Sequence, residues 1–276
     1  MLIDLHNDLF TCGKTDEQIK ECVTAAKKQN ARVLYAVYND GKKPLSFLIE
    51  RAKFIKEITG GACTLENACY ISESADNGLI AALLKAIALI KPLCASLCWN
   101  DKNAFASGCA CTGGLTSAGE ACVRFFNRSK IALDLAHINE EGFYEGVELA
   151  DKPLCTHSAL YSVFPHRRNL KNEQIRLLLE KGGIFGLIGV SRFLCEKNEN
   201  AKQAFLNHVN EYLQLFGVKG LCLGSDFYGS DSPLCSDGDY VALCEIANGL
   251  KKLGLNDGEL KKVLYLNAAE FFGLTV

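Results

Sequence analysis

Short, nearly continuous apolar runs recur along the chain at residues 2–6, 32–38, 68–72, 93–98, 131–136, 153–156, 183–190 and 220–224. Runs this brief and this uniformly apolar read as strands buried on both faces, the pattern of a parallel sheet. Between them, residues 16–29, 43–59, 77–90, 117–128, 140–150, 172–181 and 201–216 place apolar side chains three and four apart, and 239–253 does so after the last run. That spacing is the signature of helices with one face on a core. Strand followed by helix, eight times over, predicts an α/β fold closed into a (β/α)8 TIM barrel. No repeat, low-complexity tract or linker divides the chain, so a single domain over residues 1–276 is expected.

Composition narrows the choice of partners. With 276 residues, 49% of them hydrophobic, the chain can bury a large core, and its net charge of -2 leaves no basic stripe for nucleic acid or an anionic membrane surface. The longest apolar run, residues 79–90, is interrupted by Lys85 and falls short of a bilayer span, and the first residues lack a leader pattern. A cytoplasmic protein is expected. Fourteen cysteines include no Cys-x-x-Cys pair. Cys94, Cys98, Cys155, Cys222 and Cys244 lie in apolar segments, as reduced core thiols would. Cys109-Ala110-Cys111 is the one close pair, in a Gly-rich stretch at 108–119 that is the best candidate for a mobile loop.

In a barrel of this kind the chemistry gathers where the strands end at their carboxyl side. His6 and Asp8 follow the first run, Glu73 the third, Trp99 the fourth, His137 the fifth, His157 the sixth and Asp226 the eighth. His6-x-Asp8 puts two ligand-type side chains on one side of an extended strand. Either later histidine alone is as well explained as a hydrogen-bonded core residue. Three of only five histidines ending three different strands make metal the stronger reading. Glu73 alone reads better as a solvated loop carboxylate, and Asp226 alone reads equally as a turn or helix-capping residue.

Together these segments resemble the membrane (renal) dipeptidase family from Ile3 almost to the C-terminus. The likeness rests on Ile3-Asp4-Leu5-His6-Asn7-Asp8-Leu9, Ile71-Ser72-Glu73, Asp134-Leu135-Ala136-His137 and Thr156-His157-Ser158-Ala159. It continues in His166-Arg167-Arg168-Asn169-Leu170, Gly224-Ser225-Asp226-Phe227 and Asn267. The resemblance implies a zinc-dependent dipeptidase with two divalent ions: His6 and Asp8 on one, His137 and His157 on the other, and Glu73 bridging. It also implies a metal-bridging hydroxide as nucleophile, Asp226 as the proton-transfer residue, Arg168 as the anchor of the substrate carboxylate, and a homodimer. The family's dipeptidases carry a substrate-contacting histidine where this chain has Trp99. Trp99-Asn100 followed by Asn103 is similar to a bacterial branch. An indole donates one hydrogen bond and cannot be protonated, so an N-acyl amino acid, a β-lactam or a lactone stands as an alternative substrate, and a non-catalytic metal or peptide binder as the remaining one.

Overall fold

The computed structural model describes residues 1–67, 76–197 and 199–276. Its strands run in the order β1 to β8 around a closed barrel. They are β1 (Leu2–Asn7), β2 (Ala31–Tyr38), β3 (Thr64–Glu66), β4 (Cys94–Ser96), β5 (Ala132–Asp134), β6 (Pro153–Ser158), β7 (Phe185–Ile188) and β8 (Leu221–Gly224). From β2 through β8 each neighbour pairs in parallel, and β8 pairs in parallel with β1 through the Asp4–Leu223 register. A barrel of parallel strands each followed by a helix is the (β/α)8 architecture that the apolar runs predict.

Seven of the eight expected strands lie where the sequence puts them, within a few residues; the described third strand is a segment that was not expected. β3 is Thr64–Glu66, paired with β2 through Ala36–Thr64, Val37–Leu65 and Tyr38–Glu66 and with β4 through Leu65–Ala95. The expected run at 68–72 lies outside the described residues. Three residues, one of them a glutamate, carry too little apolar length to stand out, and it is pairing with both neighbours that makes them a strand.

By internal packing the described residues form two compact units, 1–34 with 155–276, and 35–154, the chain passing between them within β2 and β6. In the first unit β1 and β6 are buried throughout. Leu2, Ile3, Leu5, Phe185, Phe205, Tyr212 and Phe227 make a core sealed from water. Its helices are α1 (Asp16–Lys28), α6 (Asn172–Glu180), α7 (Ala201–Phe216), α8 (Tyr240–Asn248), α9 (Asp257–Lys261) and α10 (Asn267–Phe272). α1 opens on a capping box, the Thr15 hydroxyl accepting from the Gln18 amide while the Gln18 side chain accepts from Thr15, so two orphan donors of the first turn are satisfied. Asn267 donates to the carbonyls of Val218 and Leu221, which ties α10 to the start of β8.

In the second unit α2 (Leu45–Thr59), α3 (Asn77–Ile90), α4 (Ser117–Ser129) and α5 (Glu140–Leu149) cover their strands. Leu83, Ile87, Phe105, Val123, Phe126 and Phe143 fill its interior. The glycine-rich stretch, expected to be a mobile loop, makes several hydrogen bonds to its neighbours. The Cys109 amide donates to the His137 carbonyl at 2.8 Å, and Asn139 donates to the carbonyls of Cys111 and Gly113. All described cysteines are free thiols, seven of them buried. Burial pushes Cys63 up to about 12 and raises Cys94 and Cys222 as well; thiols held protonated in this way are packing groups rather than nucleophiles.

Candidate metal centre

β1 ends in a chelating corner. Strand alternation puts His6 and Asp8 on one side, with His6 Nε2 3.3 Å from Asp8 Oδ2 and 3.9 Å from Asp226 Oδ1. The His157 ring, at the end of β6, stacks on His6 with centroids 3.9 Å apart. His157 Nδ1 lies 2.8 Å from the Thr156 hydroxyl. Such a contact turns the other nitrogen of a ring toward a ligand.

The same corner is held from beneath by Asp4. Its carboxylate accepts from the Ser225 amide at 2.7 Å, the Ser225 hydroxyl at 2.6 Å and the Tyr240 hydroxyl at 2.9 Å. Burial pushes the Asp4 carboxyl up, and these hydrogen bonds oppose the shift. Tyr240 also accepts from Asn7 at 2.9 Å. Asp226 stands in a left-handed conformation, φ 55°, its amide donating to the His6 carbonyl. A non-glycine residue there is strained, and strain of this kind collects at functional positions. A Cβ on Gly229 would run into the carboxylates of both Asp8 and Asp226, so only glycine lets this loop come so close.

Arg168 is buried, with Nη2 donating to the His157 carbonyl at 2.8 Å, and its own carbonyl accepts from Ser158 Oγ at 2.9 Å. The sequence-selected arginine is thus fastened directly to the strand that ends in His157.

In the second unit the end of β3 meets the end of β5. Glu66 Oε1 lies 2.9 Å from His137 Nε2, both side chains being almost wholly buried. His137, like Asp226, has a left-handed backbone, φ 69°. Its Nδ1 is 2.9 Å from Asn100 Oδ1. Trp99 is 37% exposed. Its ring lies edge-on to Tyr38 at 5.6 Å and tilted against His137 at 5.8 Å, so it lines the approach to that imidazole.

Glu73 lies outside the described residues. The carboxylate that the described third strand delivers is Glu66, which the sequence reading passed over. The one available signal was its place at the close of Thr64-Leu65-Glu66, the short segment between α2 and Asn67. The ligand atoms of His6, Asp8 and Glu66 lie within 4.8 Å of one another, as do those of Glu66, His137 and His157, and those of His6, Asp134 and His157. All are buried. Two of these sets share Glu66, which gives a potential binuclear His/Asp/Glu metal-binding site.

Comparison with known proteins agrees with this geometry. A Klebsiella pneumoniae protein described as "in pqqA 5'region" is 31% identical over 182 residues, covering 61% of this chain and 67% of its own length. The dipeptidase tcpJ of Claviceps purpurea is 27% identical over 157 residues, 56% of this chain but only 37% of that enzyme. In fold, the chain is similar to a metallopeptidase from Rhodobacter sphaeroides crystallised with a phosphinate mimic of the dipeptide L-Ala-D-Ala, with a TM-score of 0.79, 20% identity and coverage of 100% and 99% of the two chains. Residues 16–273 match the membrane dipeptidase family, peptidase family M19, with His6 and Asp8 just ahead of the matched segment. With a family match over nearly the whole chain, on a barrel carrying this ligand set, the chain belongs to the membrane dipeptidase family and is a dipeptidase-like, metal-dependent hydrolase.

Proposed function

We propose that this chain hydrolyses dipeptides with two zinc ions, His6 and Asp8 holding one, His137 and His157 the other, and Glu66 bridging them. The observation that carries the reading is that Glu66 is common to a His/Asp set and to a His/His set of donor atoms. Imidazole and carboxylate donors of this mixture suit zinc. When bound, paired divalent cations supply a water of lowered pKa and polarise a carbonyl.

The protein's own groups do the rest. Asp226, 3.9 Å from His6 Nε2, is placed to take the proton of the attacking water and pass it to the leaving amine. Arg168 presents a planar fork of donors suited to the terminal carboxylate of the substrate. An anchor at that end fixes how far along the chain the scissile bond lies, which selects dipeptides over longer peptides. Trp99 forms an apolar wall beside His137 and offers one hydrogen bond at most. It supports a second reading, in which the same centre opens an N-acyl amino acid, a β-lactam or a lactone. The single-domain organisation, the homodimer and the cytoplasmic setting are part of this proposal. Among the described residues no helix is long and apolar enough to cross a membrane.

The test is a panel of dipeptides with L- or D-residues at the C-terminal position, run beside N-acyl amino acids, β-lactams and lactones, with zinc added back after chelation. Turnover of dipeptides that is abolished by chelation and restored by zinc is expected. Turnover confined to the other substrates would replace the dipeptidase reading with the second one, and no turnover of any would remove both.

A further inference from the structure

We infer that Tyr38 and Trp99 together form an apolar subsite for a bulky hydrocarbon group on the carbonyl side of the scissile bond. That group is the N-terminal side chain of a dipeptide, or the acyl chain of an N-acyl amino acid. The inference rests on the reading of Glu66 and His137 as metal ligands of a hydrolase. It adds Tyr38, at the end of β2, as a specificity-determining residue.

Three rings stand in a row. Tyr38 lies edge-on to Trp99 with centroids 5.6 Å apart, and Trp99 is tilted against His137 at 5.8 Å. Tyr38 also pairs with Glu66 in the β2–β3 register, and residues directly paired on neighbouring strands send their side chains to the same face of a sheet. Tyr38 thus flanks the carboxylate whose Oε1 lies 2.9 Å from His137 Nε2, while Trp99 flanks the imidazole.

The Trp99 backbone is held firmly, yet 37% of the residue stays exposed. Gly108 comes so close to the carbonyls of Trp99 and Asn100 that a Cβ there would overlap them, and the Ala110 amide donates to the Asn100 carbonyl at 2.9 Å. Beside Tyr38, the Asn67 side chain donates to the Asn39 carbonyl at 2.9 Å and ties the end of β3 to the end of β2. Aromatic surface already fixed in place loses little freedom on binding, and covering it with hydrocarbon removes apolar area from water. Arg168 is assigned to the terminal carboxylate and so to the C-terminal residue, which leaves the carbonyl-side group to these rings.

The test compares kcat/KM of the zinc-loaded protein for X-Ala dipeptides, X being glycine, leucine, phenylalanine, aspartate or lysine, and for N-acetylalanine and N-octanoylalanine. Emission is read alongside, on mixing with Gly-Ala or Leu-Ala; the chain holds one tryptophan, so the signal is that of Trp99. The expected result is a preference of about tenfold or more for leucine and phenylalanine over glycine, with aspartate and lysine no better than glycine. Leu-Ala should shift the emission to the blue at a concentration about tenfold below that needed with Gly-Ala. Trp99→Ala and Tyr38→Ala should each cut the leucine-to-glycine ratio to about threefold or less, and Tyr38→Phe, which keeps the ring, should retain it. Equal use of leucine and glycine substrates, a preference for a charged side chain, or a ratio that survives both alanine variants would overturn the inference. Should an alanine variant fail to fold, the wild-type ratio and the emission titration decide. A preference for N-octanoylalanine over N-acetylalanine with no dipeptide turned over would remove the dipeptidase reading and leave the subsite standing. With no substrate turned over, the hydrolase reading falls and the emission titration decides the subsite by itself.

Discussion

Single side chains carry most of what this protein can do, and they differ in how openly the sequence displays them. His137 and His157 are conspicuous because an imidazole ending a wholly apolar run has no other obvious reason to be there. Asp226 is ambiguous by composition, and its left-handed backbone and its place beside His6 give it weight. Asp226→Asn is expected to lower kcat by about 10²- to 10⁴-fold while metal content stays that of the wild type; steady-state kinetics paired with metal analysis checks both halves. Gly229→Ala would push a methyl group into the Asp8 and Asp226 carboxylates. A fall of kcat/KM by roughly tenfold or more is expected from so small a misplacement, with circular dichroism unchanged. Glu66 was not legible. A buried glutamate in a three-residue strand looks like any loop carboxylate until pairing with Tyr38 fixes its register.

Among elements, α1 to α8 and seven of the strands were readable because burial on one face or two writes a period into the sequence, whereas α9 and α10, of five and six residues, are too short to show one. The third strand was not readable, since its existence depends on the strands either side. Connections are harder still, and His208 shows why. It sits on α7, fully buried, accepting from the Leu160 amide through Nδ1 and lying 3.1 Å from the Leu194 carbonyl through Nε2. The ring thus joins the segment after β6 to the segment after β7, a role no spacing announces. Burial pushes its pKa down from 6.5 to about 4. Between those values the unfolded chain binds a proton that the native protein refuses. The stabilisation is complete above about pH 6.5 and falls away on acidification toward pH 4, by an amount of order 3 kcal/mol. Urea unfolding at pH 7 and pH 4.5 is expected to show this loss, and His208→Gln to be less stable at pH 7 but less sensitive to the change. On α4, Phe126 is sealed in the core, and Phe126→Ala is expected to cost about 3–5 kcal/mol in the same measurement.

At the level of the whole molecule, the barrel and the family were legible because strand-helix alternation and the order of the motifs survive errors of several residues at any one boundary. The bridging carboxylate is more exposed to such an error, because a ligand is one residue: Glu73 lies outside the described residues, while the described third strand ends on Glu66. The central claim is that Glu66 joins the two histidine-containing ligand sets into one binuclear centre. Metal content after chelation, zinc reconstitution and gel filtration tests this most directly, in the wild type, Glu66→Ala and Glu73→Ala. The account expects about two zinc ions per chain in the wild type and in Glu73→Ala, and fewer than about one in Glu66→Ala. Two ions retained by Glu66→Ala, or lost from Glu73→Ala instead, would contradict it.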